Sequence, residues 1–334
     1  MYWHKIIKNM KKYTYNSSEG NFEQWVAQHS DCEVLTLKGS IEIEDIAEFE
    51  KVLNNLKLRE IDISEFSAIE RKWFELLIYS LDIIGEDGTP SLLQRILLNK
   101  EFADNLIIEK DNVFSHDRHV IIACNQHDSI VLPQETEIIG HLAFVNNILE
   151  EITLPQGLKQ IGDYAFYYCE NLTRIEIPDS VKQLGEGTFK GCDIEHVKLS
   201  NNLCEIPASC FEYNGIETID FPPSIKRIHG DAFHCNYIEK VILPEGVEYI
   251  GWNVFTHQNK YISFPSTMKE IEKDFFYEEC IDTPEDCIPY IDVNENNPSF
   301  FSKDGTLYRR DNPNEPYLGY KYKYDLHKRL IMGR

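Results

Sequence analysis

The chain has 334 residues, with 56 Asp and Glu against 33 Lys and Arg, a formal net charge of −23, and 42% hydrophobic residues. That hydrophobic content belongs to a folded protein. The acidic balance argues against non-specific binding to nucleic acid or to an anionic membrane, both of which need Lys and Arg to displace counterions. The excess acid reads first as a solvated surface that keeps an extended protein soluble, with another protein of basic character as the sharper alternative.

Apolar runs such as ELLIYSLDII at Glu75–Ile84 fall short of the roughly 20 residues a membrane span needs. The opening stretch, MYWHKIIKNMKKYTYNSSEG, is basic but has neither an apolar h-region nor a small-residue cleavage site. As it stands the chain is expected in the cytoplasm, and at the cell surface or secreted if a signal precedes it. Nine cysteines is an odd number, and the pattern suits buried free thiols better than a disulfide framework. Cys280 and Cys287 are the pair to expect if any oxidation occurs.

Residues 1–64 read as an N-terminal cap. Phe22, Trp25 and Val26 take helical spacing after Asn21, and Val34–Gly39 alternates as a strand. Ile46, Phe49, Val52, Leu53 and Leu56 mark an amphipathic helix, and Leu58–Ser64 a second strand. Strand, helix and strand together predict a divergent first turn of a solenoid. Residues 65–111 read as a helical insertion: Trp73, Leu76, Leu77 and Leu81 suggest one helix, and Leu92, Leu93, Ile96 and Leu97 another after the turn-rich GEDGTP.

Residues 112–290 carry a repeat, cleanest in ITLPQGLKQIGDYAF at Ile152–Phe166, IEIPDSVKQLGEGTF at Ile175–Phe189 and VILPEGVEYIGWNVF at Val241–Phe255. Its phenylalanines stand at 144, 166, 189, 211, 233, 255 and 276, a period of 21–23 residues. Such a period is the signature of a solenoid. Apolar alternation predicts a strand, Pro178 stops it by lacking an N–H, and Gly185 answers either a positive φ or a close backbone approach. Phe189 and Cys192 are expected to face the core from a short helical or irregular return. Residues 291–334 predict a closing hairpin around Lys303-Asp304-Gly305.

The pattern L-x-x-I-x-I-P-x-x-V-x-x-I-G-x-x-A-F-x-x-C resembles the BspA-type leucine-rich repeat family, strongly over about 130–276. The resemblance implies an α/β solenoid of about 22-residue units with parallel strands. It also implies a monomeric, non-enzymatic protein-binding scaffold, or else an exported adhesin-like surface protein. An enzyme would have to place its site in 65–111. Departures from the pattern are Ser200 for Pro, and Pro207, His229 and Glu272 for Gly.

Stacked parallel strands lie about 4.8 Å apart, so equivalent outward residues should form ladders. One is expected to run Glu151, Arg174, His196, Thr218, Lys240, Tyr261, and its neighbour Thr153, Glu176, Lys198, Asp220, Ile242, Ser263. The candidate binding residues are Glu151, Arg174, Glu176, His196, Lys198, Asp220, Lys240, Ile242 and Tyr261, with Ile242 and Tyr261 as an exposed anchor. The alternative is plain cross-strand pairing of Glu151 with Arg174, and of Lys198 with Glu176 and Asp220. His116, His119, Cys124 and His127 have a zinc-like spacing, but a strand between His119 and Cys124 would keep the ligands apart. No G-x-S-x-G, P-loop, H-E-x-x-H or G-x-G-x-x-G motif is present, and no cofactor is implied.

Overall fold

The computed structural model describes residues 11–19, 21–40, 55–67, 92–109, 112–124, 129–255, 260–272, 275 and 289–317. Strand β1 (Lys12–Asn16) leads into helix α1 (Phe22–Gln28), which starts where Asn21 accepts a hydrogen bond from the Gln24 N–H at 3.1 Å. Strands β2 (Val34–Ser40) and β3 (Glu60–Ser67) continue in parallel beside β1. Apart from Asn55 and Leu56, the helix expected after Ile46 lies outside the described residues, as does the one expected around Trp73–Leu81.

Helix α2 (Leu92–Leu98) precedes β4 (Asn105–Glu109), β5 (Asn112–Ser115) and β6 (Val120–Ala123). The segment expected as a helical insertion thus also supplies a strand. The pairings β3–β4, β4–β5 and β5–β6 are all antiparallel. Three reversals leave β6, and the array that follows it, running opposite to β1–β3. The stretch Val34–Ser64 thus pairs its two strands in parallel but runs opposite in sense to the array, and one continuous sheet joins the two.

The array runs through β7 (Ser129–Val131), β8 (Ile138–Ile139), β9 (Glu151–Thr153), β10 (Gln160–Ile161), β11 (Arg174–Glu176), β12 (Gln183–Leu184) and β13 (His196–Lys198). It continues with β14 (Glu205–Ile206), β15 (Arg227–Ile228), β16 (Lys240–Ile242), β17 (Tyr249–Ile250), β18 (Tyr261–Phe264), β19 (Glu270–Ile271) and β20 (Tyr290–Val293). Most repeats give one strand to each of two parallel faces. The first face holds β7–β9, β11–β13 and β16–β18–β20; the second holds β6–β8–β10–β12 and β14–β15–β17–β19. The second face was not foreseen, because its strands are only two residues long.

The described returns after the second-face strands are turns, and both described α-helices lie outside the array. The fold is a parallel-strand β-solenoid, so the helical part of the expected α/β label does not describe the repeats. Proline closes all but one of the described corners. The carbonyls of Pro133, Pro155 and Pro178 each accept the N–H three residues on, at 3.0 Å, and Ser200 does the same at 3.3 Å.

Glycine answers close approach. Gly162 has no positive φ, yet an added Cβ would lie 2.7 Å from the His141 nitrogen and 2.8 Å from the Gly140 carbonyl carbon. At the same position Pro207 has no N–H to donate, whereas Gly162, Gly185, His229, Gly251 and Glu272 each donate to the preceding repeat. The second face breaks there, between β12 and β14.

The positive φ values fall elsewhere. Nine of the eleven non-glycine residues with positive φ stand two positions before or after a repeat Phe, as Tyr164 (52°) and Tyr168 (55°) do around Phe166. This kink turns alternate N–H groups toward the next repeat. Tyr164, Phe166 and Tyr168 donate to Glu186, Thr188 and Lys190 at 2.7, 2.8 and 2.9 Å. A third hydrogen-bonded edge results, built from turns.

Inside it the rings of Phe144, Phe166, Phe189, Phe211, Phe233 and Phe255 stack with centroids 4.8–6.4 Å apart. All are at most 1% exposed. Phe276 lies outside the described residues. Three residues past the Phe, the Asn214 amide donates to Phe189 O (2.8 Å) while its oxygen accepts from Ile194 N (3.0 Å). Cys169 and Cys192 fill that slot as thiols donating to Phe144 O and Phe166 O, at 3.0 and 3.1 Å. The seven described cysteines are free; Cys280 and Cys287 fall outside them.

The array closes on β21 (Phe300–Lys303), β22 (Thr306–Arg309) and β23 (Asn312–Pro316). Asp304 (φ 52°) and Gly305 (φ 76°) make the expected two-residue turn between β21 and β22. The third strand of this meander was not foreseen.

Candidate protein-binding face

The first face carries the candidate residues. Along β11 and β16 the burial runs exposed, buried, exposed, so Arg174, Glu176, Lys240 and Ile242 point out while Ile175 and Val241 point in. Arg174 lies opposite His196 and Glu176 opposite Lys198; Lys240 lies opposite Tyr261 and Ile242 opposite Ser263. These are the registers the repeat spacing predicts.

The ladders are nevertheless interrupted twice. Asp220 and Thr218 belong to no strand, which separates Lys198 from Lys240. Pairing also lapses between β9 and β11. There 23 residues separate Glu151 from Arg174, against 22 between Ser129 and Glu151 and between Arg174 and His196. The extra residue lies between Phe166 and Leu172.

A groove of about 980 Å³ opens at that lapse, lined by Glu150, Glu151, Glu170, Glu176 and Asp193, with Arg174 as its one cation. Arg174 makes no ion pair with Glu151 among the described residues, contrary to the cross-strand pairing considered above. Lys198 reaches Glu176 at 3.6 Å with both side chains about two-thirds exposed, and such a pair contributes little. Lys198 makes no ion pair with Asp220 among the described residues.

The far end of the face is aromatic. Lys240 Nζ lies 5.6 Å from the Tyr261 centroid, and the Tyr261 and Tyr290 rings stack at 6.2 Å. Tyr261 donates to Asp292 at 3.1 Å; burial and that bond both raise its pKa. Ile242 and Tyr290 are each 56% exposed. Tyr290 was missed. The alternation Tyr290-Ile291-Asp292-Val293 was the available signal, hidden because 29 residues separate it from Tyr261 where the array spacing is 22.

Other clusters lie off this face. On the second face Arg227 sits 4.0 Å from the Tyr249 centroid, and Tyr249 donates to Glu272 at 2.5 Å. Burial, then that bond, pushes the Tyr249 hydroxyl up to about 12. His116 and His119 are exposed, whereas Cys124 is buried with its thiol pushed up to about 12 by burial. His127 lies outside the described residues.

Glu212, Asp231 and His234 on the Phe-turn edge offer ligand atoms within 4.8 Å of one another. Lys190 already stands 3.2 Å from Glu212, so that carboxylate has a cation partner without a metal ion. Burial pushes the Glu212 carboxyl up, but His234 and Lys190 outweigh it and hold the group below its ordinary value.

The family described as BspA type leucine rich repeat region matches in six copies, over residues 42–173 and 159–282. A leucine-rich repeat protein from Eubacterium ventriosum is similar over 77% of this chain and 63% of its own, at 15% identity and a TM-score of 0.45. A leucine rich cell surface protein from Faecalibacterium prausnitzii is similar over 64% of this chain and 59% of its own, at 18% identity and a TM-score of 0.40. The large ribosomal subunit protein bL25 of Corynebacterium jeikeium is 34% identical over 107 residues, which is 31% of this chain and 50% of that protein. The chain thus spans less than two thirds of each of these proteins.

Proposed function

This chain belongs to the BspA-type leucine-rich repeat family, and from that premise we propose a non-enzymatic scaffold that grips a basic segment of a partner protein along its first face. A solenoid of stacked repeats presents an extended surface whose outward residues vary while its inward ones hold the fold. The observation that carries the reading is the acidic groove at the lapse between β9 and β11. Five carboxylates and a single arginine line it, a field suited to lysine or arginine side chains. The exposed Ile242 and Tyr290 at the other end, with Tyr261 half-buried rather than exposed as expected, offer the apolar anchor that charge alone does not supply.

Fluorescence anisotropy with a labelled lysine-rich peptide tests the proposal. Binding should weaken at least about tenfold in the triple variant Glu151→Gln, Glu176→Gln, Asp193→Asn, and its salt dependence should flatten. An unchanged affinity, or equal binding of an acidic peptide, would overturn it.

A further inference from the structure

The Phe-turn edge holds an arrangement that the binding face does not use. Among the described cysteines only Cys204 and Cys235 are exposed. Cys235 follows Phe233 by two residues, with φ at 55°. Its Sγ lies 3.6 Å from His234 Nε2, within hydrogen-bond reach for sulfur. The other ring nitrogen, Nδ1, is 3.5 Å from Glu212 Oε1. Glu212 is itself buried and held by Lys190. Tyr213 packs edge-on against the His234 ring at 5.7 Å, fixing its plane.

A carboxylate beside one imidazole nitrogen selects the tautomer that leaves the other free to take a proton, here from a thiol. We propose that Cys235 is a nucleophilic thiol, with His234 as its base and Glu212 positioning the ring, and that it is where low-molecular-weight disulfides attach to this protein. In the step, Cys235 passes its proton to His234 Nε2 and the thiolate attacks one sulfur of the disulfide. A new S–S bond forms as the old one breaks, and the departing thiolate leaves with the electron pair and is protonated. Cys235 is oxidised and the departing half of the disulfide is reduced, with no further reagent. Among the described residues, the titratable groups facing the pair are Lys190, Glu212, Tyr213 and Asp231. Cys204 has no histidine or carboxylate against its thiol among the described residues and provides an internal reference.

The test treats the intact chain with the neutral probe 4,4′-dithiodipyridine across pH 5–9.5, reading each cysteine by peptide mass spectrometry. At pH 6 an ordinary thiol is almost wholly protonated, and Cys235 should be modified on the order of ten times faster than Cys204. The ratio should approach one above pH 9 and in strong denaturant. His234→Gln should bring the Cys235 rate at pH 6 to that of Cys204 while leaving the rate at pH 9.5 unchanged. If Cys235 and Cys204 share one pH profile in the unmodified chain, the assignment is wrong, whatever the variant does.

Discussion

Individual side chains in this solenoid act mainly on the repeats next to their own. Phe189 is fully buried between Phe166 and Phe211, with ring centroids at 5.2 and 5.3 Å. Phe189→Ala should cost about 3–5 kcal/mol through lost burial and a residual cavity. Thermal unfolding within a degree of the parent would refute that. Asp231 offers a sharper test because its sign depends on pH. Burial raises its carboxyl above the ordinary value, with the Asn253 amide acting the other way. An acid whose pKa rises on folding costs stability when both states are ionised, and the cost vanishes below the unfolded value near 4. Asp231→Asn keeps an acceptor for Asn253, so it should raise Tm at pH 7 and give no gain below about pH 4. Glu212 should behave oppositely. Its depressed carboxyl contributes stability above about pH 4.3 that fades as pH falls through its folded value, so Glu212→Gln should hurt at pH 7 and progressively less as pH falls below about 4.3.

At the scale of the strand and turn, backbone geometry decides which residue a position accepts. Gly162 is needed because the neighbouring repeat's backbone occupies the space a Cβ would take. Gly162→Ala should therefore lower stability by about 1–3 kcal/mol, as overpacking against backbone does. Calorimetry of that variant beside Gly157→Ala makes the comparison, since the nearest atom to a Cβ at Gly157 is 3.9 Å away. The two turn columns flanking each Phe show how a repeat tolerates left-handed residues as bulky as Leu142 and Tyr164. Each such residue costs on the order of 1–3 kcal/mol, and the cross-repeat hydrogen bonds it aims offset that. Pro207 illustrates the converse: one missing N–H coincides with the end of a sheet.

Across the whole molecule the charge of −23 is the dominant long-range term. Self-repulsion among exposed carboxylates opposes compaction and is screened once the Debye length falls to about 8–10 Å. Raising NaCl from 10 to 150 mM should therefore raise Tm, and a flat or falling Tm would show that the surface ion pairs outweigh the repulsion. The same salt should weaken binding of a basic peptide at the acidic groove, so stability and binding should respond in opposite directions. Binding that held or strengthened as salt rose would argue against the groove as the site.

The repeat, its period, the proline corners, the phenylalanine spine and the Asp304-Gly305 turn were all legible in the chain, because each arises from local periodicity or from one residue's conformational limits. The face carrying Arg174, Glu176, His196, Lys198, Lys240, Ile242 and Tyr261 was legible too, since register follows from period. Three features were decided only in the folded molecule. The reversed sense of the N-terminal block depends on three antiparallel pairings between distant segments. The two-residue strands of the second face are too short for alternation to mark them. The lapse between β9 and β11, where the groove opens, depends on how neighbouring repeats stack and not on spacing alone, since Tyr261 and Tyr290 pair across 29 residues whereas Glu151 and Arg174 do not across 23.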